Sequence, residues 1–174
     1  TTGPDPLLCA HSAGSGVVAT GGLGGVHGGA ATSFGISADL RELALTPVTV
    51  VAAGAKAILD RPKTLEVRGS YGVPVFGYRT DRLPAFWSST SPHPVPLRMD
   101  SAAEIAAAQR MRTRLGLSGG QLVANPLPEA AAIAQTEIDP IISKALAEAE
   151  AQGIAAKAVT PFLLSRIFTP TDRR

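Results

Sequence analysis

Aromatic residues are scarce in this 174-residue chain: five Phe, two Tyr and one Trp, 5% of the total. An interior must therefore be built mainly from Val, Ile, Leu and Ala, within an ordinary hydrophobic content of 45%. Cys9 is the single cysteine, so no intrachain disulfide framework exists, a pattern that fits a reducing, cytoplasmic compartment. Charge is sparse as well. Sixteen Lys and Arg stand against fourteen Asp and Glu, a net charge of +2, and no long basic block occurs. Arg110, Arg112 and Arg114 come closest, and on a helix they spread around the axis, so a nucleic-acid partner is not expected. No apolar run approaches the roughly 20 residues that cross a bilayer, and no signal-peptide pattern is visible, so no membrane partner is expected either. The length fits one domain, residues 1–174.

What is abundant is glycine, 18 residues, and it is concentrated. After the short apolar run Val17-Val18-Ala19 the chain reads Thr20-Gly21-Gly22-Leu23-Gly24-Gly25-Val26-His27-Gly28-Gly29. Glycines let backbone N–H groups approach a ligand, and successive N–H groups can form an anion-binding hollow. Thr20 and His27 would add side-chain donors. The spacing matches neither the dinucleotide fingerprint nor the Walker A loop. A flexible surface loop has the same composition.

The second concentration of signal is Val50-Val51-Ala52-Ala53-Gly54-Ala55-Lys56. An apolar, β-branched run reads as a buried strand, with Lys56 emerging at its carboxyl end, where open α/β sheets bind ligands. Burial there would lower the lysine's pKa and make a nucleophilic, Schiff-base-forming amine. The commoner lysine in such a place simply reaches water. Between the two segments, Ser37 reads as the N-cap of a helix carrying Leu40, Leu43 and Ala44 on one face, with Asp39 in its first turn.

Strands are expected at 17–20, 48–52, 74–78 and 121–124. Helices are expected to begin at Ser37, at Ser101 and at Asp139. Ser101 with Glu104 makes a capping-box pattern. Asp139-Pro140 pairs an N-cap with a first-turn proline, and Gly153 stops that helix. Thr160-Pro161 opens a further short helix. The stretch 88–96, rich in Ser, Thr and Pro, reads as a loop with His93 solvated. Asn125, between Ala124 and Pro126, suits either a turn or a ligand contact, and Glu129 suits a helix start. Alternating strands and helices give an α/β layered fold.

These segments together resemble the pseudouridine-5′-phosphate glycosidase family, also called indigoidine synthase A-like. The likeness runs from the Gly-rich loop through Ile36-Ser37-Ala38-Asp39-Leu40 and the Lys56 segment. It continues through Gly72-Val73-Pro74-Val75, Pro84-Ala85-Phe86, Val123-Ala124-Asn125-Pro126 and Thr160-Pro161-Phe162. The resemblance implies a three-layer α/β/α fold with a mixed, mostly parallel sheet. It implies reversible cleavage of the C–C bond between uracil and ribose 5-phosphate through a covalent lysine–sugar adduct. Lys56 takes the nucleophile's place; Gly3, Thr20, His27, Ser37, Ala38 and Asp39 take substrate-binding places.

The departures matter too. The family's manganese ligand is an Asp where this chain has Gly35, so Asp39, acting through water, would be the remaining candidate for a divalent cation. Gly28, Ala31 and the Thr1–Pro6 segment also depart, in a way that suits a pocket opened for a larger acceptor and equally suits drift. The family is about twice as long. A preceding region, on the same or a separate chain, would carry its proton-donor Glu and a second Lys, and the family's assembly is a homotrimer. Three readings follow: the glycosidase, a C-glycosynthase joining ribose 5-phosphate to an aromatic acceptor, and a non-catalytic sugar-phosphate binder.

Overall fold

The structure, a computed structural model, describes residues 5–26, 36–56, 59–154 and 159–171. The chain divides into two compact units, Thr1–Ala132 and Ile133–Arg174.

The first unit is built on a five-stranded sheet. In chain order its elements are α1 (Asp5–Ser12), β1 (Val17–Thr20), α2 (Ala38–Leu45), β2 (Thr49–Ala52), α3 (Arg61–Ser70), β3 (Val75–Tyr78), β4 (Leu97–Met99), α4 (Ala102–Arg114) and β5 (Gln121–Ala124). The spatial order is β1-β2-β5-β3-β4. Every pairing is parallel, where a mixed sheet was expected. The fold is α/β, as the alternation of the sequence implied. Four strands fall within a residue of their expected ranges; β4 was not anticipated. Its sequence, Leu-Arg-Met, is short and mostly exposed, as an edge strand can be.

Period-two alternation sorts the sheet's side chains into two faces. Val50, Ala52, Leu122, Ala124 and Val75 form one closed core with Leu7 of α1 and Leu43 of α2; Val18 of β1 and Leu65 of α3 pack against it. The opposite face carries α4. There the buried Gln121 side chain donates from Nε2 to Thr49 Oγ1 (3.0 Å) and to the Ile105 carbonyl (2.9 Å), tying two strands to the helix. Beside α4 this face forms a groove of about 470 Å³, lined in part by Val17, Val51, Tyr78, Ile105 and Val123.

Local chemistry sets the helix ends. The capping box of α4 forms as read: Glu104 N–H donates to Ser101 Oγ (3.2 Å), and Ser101 N–H donates to Glu104 Oε2 (3.0 Å). Its other end closes at Gly116, φ 68°, with Leu117 N–H on the Arg112 carbonyl. Helix α3, unexpected from the sequence, starts on Asp60, whose side chain accepts from Lys63 N–H. Residues 83–96 do not float free. Leu83 N–H donates to the His93 carbonyl, Val95 N–H donates to the Asp81 carbonyl, and Ser88 and Ser91 are buried. His93 is accordingly half-buried, where a solvated residue was expected.

The second unit packs α5 (Gln135–Ala151) on α6 (Val159–Thr171). Helix α5 begins four residues before the expected Asp139, and Pro140 lies inside it. The buried stripe Ile138, Ile142, Ala145 and Ala149 spans the proline, so packing offsets the one main-chain hydrogen bond that proline cannot make. Helix α6 runs 13 residues, longer than the short helix expected. No described helix is long and apolar enough to cross a membrane.

Candidate active site

Beyond the β1–β2 ladder the two chains continue side by side. Ala53 N–H donates to the Gly21 carbonyl (3.3 Å), Leu23 N–H to the Gly54 carbonyl (3.2 Å), and Lys56 N–H to the Leu23 carbonyl (3.2 Å). The Gly-rich loop and Lys56, 36 residues apart from Thr20 in sequence, are thereby placed together at the carboxyl end of the sheet. Lys56 is half-buried rather than buried. Its stem lies against Gly22: a Cβ added there would sit 3.3 Å from Lys56 Cγ and 2.5 Å from Phe86 Cε2. Only glycine fits between the two side chains.

The loop is fixed from α2 and α3. Gly24 N–H donates to Asp39 Oδ2 (3.1 Å), and the Gly24 carbonyl accepts from Arg68 Nη2 (3.3 Å). One peptide unit on each side of Gly24 is thus held by a charged, buried residue; Asp39 is 2% exposed and Arg68 1%. Val26 N–H donates to Thr64 Oγ1 (3.0 Å), and Ser37 N–H to the Gly25 carbonyl (2.9 Å). Three N–H groups that the sequence offered to an anion, those of Leu23, Gly24 and Val26, are therefore committed inside the protein. The reason is burial: an unpaired main-chain donor there would cost about 1–3 kcal/mol.

Asp39 matters here less as a helix-dipole charge than as an acceptor for the loop. Ser37 caps α2 as expected, accepting from Asp39 N–H (3.4 Å), and Ala38 starts the helix on its exposed side. Thr20 and Asp39 line a cavity of about 220 Å³ with Leu7, Val18, Leu23 and Val50. Burial lowers the Arg68 pKa to about 10, against the opposing pull of the Asp39 charge, so the guanidinium stays charged at neutral pH. Gly3, His27, Gly28, Ala31 and Gly35 lie outside the described residues. Asn125 is exposed, and its N–H extends the ladder to the Ala52 carbonyl. Glu129 begins a single 3₁₀ turn, Glu129–Ala131.

The described residues do not by themselves supply a manganese site. Among the described residues no three His, Cys, Asp or Glu side chains converge. Asp39, the remaining candidate, turns an oxygen to Gly24 N–H and lies in the field of Arg68, whose charge would repel a cation. Gly35 brings no side chain at all.

Arg68, Thr64 and Phe86 were not read as site residues from the sequence. Thr64 and Arg68 share one face of α3 at i, i+4, and both are buried; the polar surroundings Arg61–Ser70 hide that face in a hydrophobicity pattern.

The family model described as indigoidine synthase A-like protein matches residues 1–174. A pseudouridine-5′-phosphate glycosidase of Paracoccus denitrificans is 64% identical over 174 residues, all of this chain and 57% of the relative. One of Escherichia coli is 53% identical over 167 residues, 96% of this chain and 54% of the relative. The chain thus spans little more than half the length of these relatives. Among solved structures, the prealnumycin C-glycosynthase AlnA in complex with ribulose 5-phosphate superposes with a TM-score of 0.85. It is 37% identical, over 94% of this chain and 54% of AlnA. An indigoidine synthase A-like protein of Thermotoga maritima gives 0.83 at 32% identity, over 95% of this chain and 54% of that one. By a match along its whole length and by its fold, the chain belongs to the indigoidine synthase A-like family.

Proposed function

We propose that the protein to which this chain belongs is a pseudouridine-5′-phosphate C-glycosidase, with Lys56 as its nucleophile. The observation that carries the reading is the placement of Lys56 beside Gly22 at the carboxyl end of β2. The neutral amine attacks the anomeric carbon. The ring C–O bond breaks, and its oxygen takes a proton. The amine's electron pair then forms the C=N bond as the C–C bond to the base breaks; that bond's electrons go to uracil C5, which gains a proton. Water hydrolyses the imine to ribose 5-phosphate and free Lys56. A C-glycoside has no heteroatom leaving group, so this covalent route replaces one hard step by easier ones. By family resemblance, a Glu in a preceding region would supply the proton for C5. The clamp on Gly24 keeps the loop beside Lys56 fixed. By family resemblance the protein works in the cytoplasm as a homotrimer.

Synthesis of a C-glycoside from ribose 5-phosphate is the second reading, favoured by the superposition on AlnA. Identity to the glycosidases, up to 64% against 37%, supports cleavage. The test is borohydride trapping on the full-length protein with ribose 5-phosphate, followed by peptide mass mapping. A reduced adduct on Lys56, absent from Lys56→Ala, is expected. Bound sugar phosphate without an adduct would make the protein a non-catalytic binder and the proposal wrong.

A further inference from the structure

Phe86 is held where an aromatic residue rarely sits. Its φ is 70°, in the left-handed region that bulky side chains avoid. Three hydrogen bonds impose it: Phe86 N–H donates to the Ala53 carbonyl (3.0 Å), Ala85 N–H to the Ser88 carbonyl (2.9 Å) and Trp87 N–H to the Ala85 carbonyl (2.9 Å). Anchoring to Ala53 ties the strained turn to the strand end that leads to Lys56. Gly54, at φ 114°, leaves room for the Pro84 carbonyl to come close, which any side chain would block. Strain of this kind persists where surrounding structure over-determines it, and it concentrates at functional sites.

The strained turn delivers a ring. One edge of Phe86, Cδ2 and Cε2, would lie 2.6 and 2.5 Å from a Cβ at Gly22, which would itself be 3.3 Å from Lys56 Cγ. Gly22 therefore leaves the space that both the ring edge and the lysine stem approach. Trp87 meets the same ring edge-on, centroids 4.6 Å apart at 89°, and fixes its tilt. Phe86 nonetheless stays half-buried, and its ring edge and the Lys56 stem approach the same point above Gly22. An apolar ring offers nothing to a phosphate dianion, which is held by charge and N–H or O–H donors. It does offer a flat π-surface to a planar heteroaromatic ring, which prefers offset stacking on such a face.

We propose that Phe86 is the specificity wall for the base: the pyrimidine ring stacks on it while the sugar carbon is bonded to Lys56. The inference rests on the C-glycosidase reading above, and its test separates the two. On the full-length protein, two quantities are measured: the KM for uracil in the direction of C–C bond formation, and the amount of borohydride-trapped adduct on Lys56 with ribose 5-phosphate alone. Base–aromatic stacking is worth about tenfold or more in affinity. Phe86→Leu is expected to raise the uracil KM about tenfold and leave trapping unchanged, and Phe86→Tyr to restore the KM. An unchanged uracil KM in Phe86→Leu, or trapping that falls in parallel with it, would overturn the assignment, the latter making Phe86 a prop for the loop. A second measurement needs no variant. Dihydrouracil keeps uracil's hydrogen-bonding edge but loses the planar π-system, and it is expected to compete about tenfold more weakly than uracil in the unsubstituted protein. Equal competition would overturn the inference. No adduct in the unsubstituted protein would overturn the lysine reading, and this inference with it.

Discussion

Residues 21–26 of the Gly-rich loop after β1 and the helix α4 are both well fixed, by opposite means. Helix α4 secures its own ends within a few residues of sequence, by Ser101, Glu104 and Gly116. The loop cannot do that, since glycines bring no side chains. Its peptides are held by Asp39, 15 residues away from Gly24, by Thr64, 38 from Val26, and by Arg68, 44 from Gly24. The difference teaches where the site's rigidity resides: in α2 and α3 rather than in the loop itself. A loop held this way is also more fragile, because removing one holder leaves buried polar groups without partners.

The largest expected effect follows from that fragility. Arg68→Ala strips the Gly24 carbonyl of a charged donor, removes the cation in whose field the buried Asp39 carboxylate lies and opens a hole in the core. Breaking a buried charged arrangement from one side costs about 3–5 kcal/mol, less the relief of Arg68's own desolvation, so a loss of about 3 kcal/mol is expected in urea unfolding. Lys56 adduct formation should slow as well, since the loop beside it loosens. A loss no larger than that of a helix cap would erase the contrast between the two regions.

Ser101→Ala supplies that standard. It removes one acceptor at an exposed helix end and is expected to cost about 1 kcal/mol, with adduct formation at Lys56 unchanged. A change in trapping would mean that α4 reaches the site, and the comparison would then be wrongly drawn.

The same contrast explains what was legible in the sequence. Strands at Val17–Thr20 and Gln121–Ala124 and the caps at Ser37 and Ser101 are local signals, and the structure contains them as read. The position of Lys56 was legible because a β-branched run points to the strand end that precedes it. The clamp was not. Asp39 reads locally as a first-turn acid, and nothing near it in sequence tells that Gly24 and Arg68 share its surroundings. Pro140 misled for a related reason: the local rule puts proline in a first turn, while the buried stripe from Ile138 to Ala149 carries α5 past it. Phe86 entered the sequence reading through the family likeness and not as a site residue, because its backbone conformation is tied to Ala53, 33 residues away in sequence.

The smallest expected effect joins the two kinds of fixing. Asp60 caps α3 locally, with Oδ1 accepting from Lys63 N–H and Oδ2 at 2.8 Å from Lys63 Nζ. Its main chain also serves the loop: Asp60 N–H donates to the Val26 carbonyl, and its carbonyl accepts from Thr64 Oγ1. The hydrogen bonds from the Lys63 side chain and main chain lower the Asp60 pKa below its usual 3.8. A carboxylate with a depressed folded pKa adds stability that is complete above the unfolded value and is lost as pH falls through the folded one. Asp60→Asn keeps the cap, since Asn serves almost as well, but removes the charge. The small stability difference between the two proteins, from urea midpoints, is therefore expected to be constant well above the usual carboxylate pKa of 3.8 and to shrink as pH falls below it. A difference that persists in acid would show that Asp60 acts through its geometry alone. In either case the local cap sets where Thr64 and Arg68 stand, and through them where the loop meets Lys56.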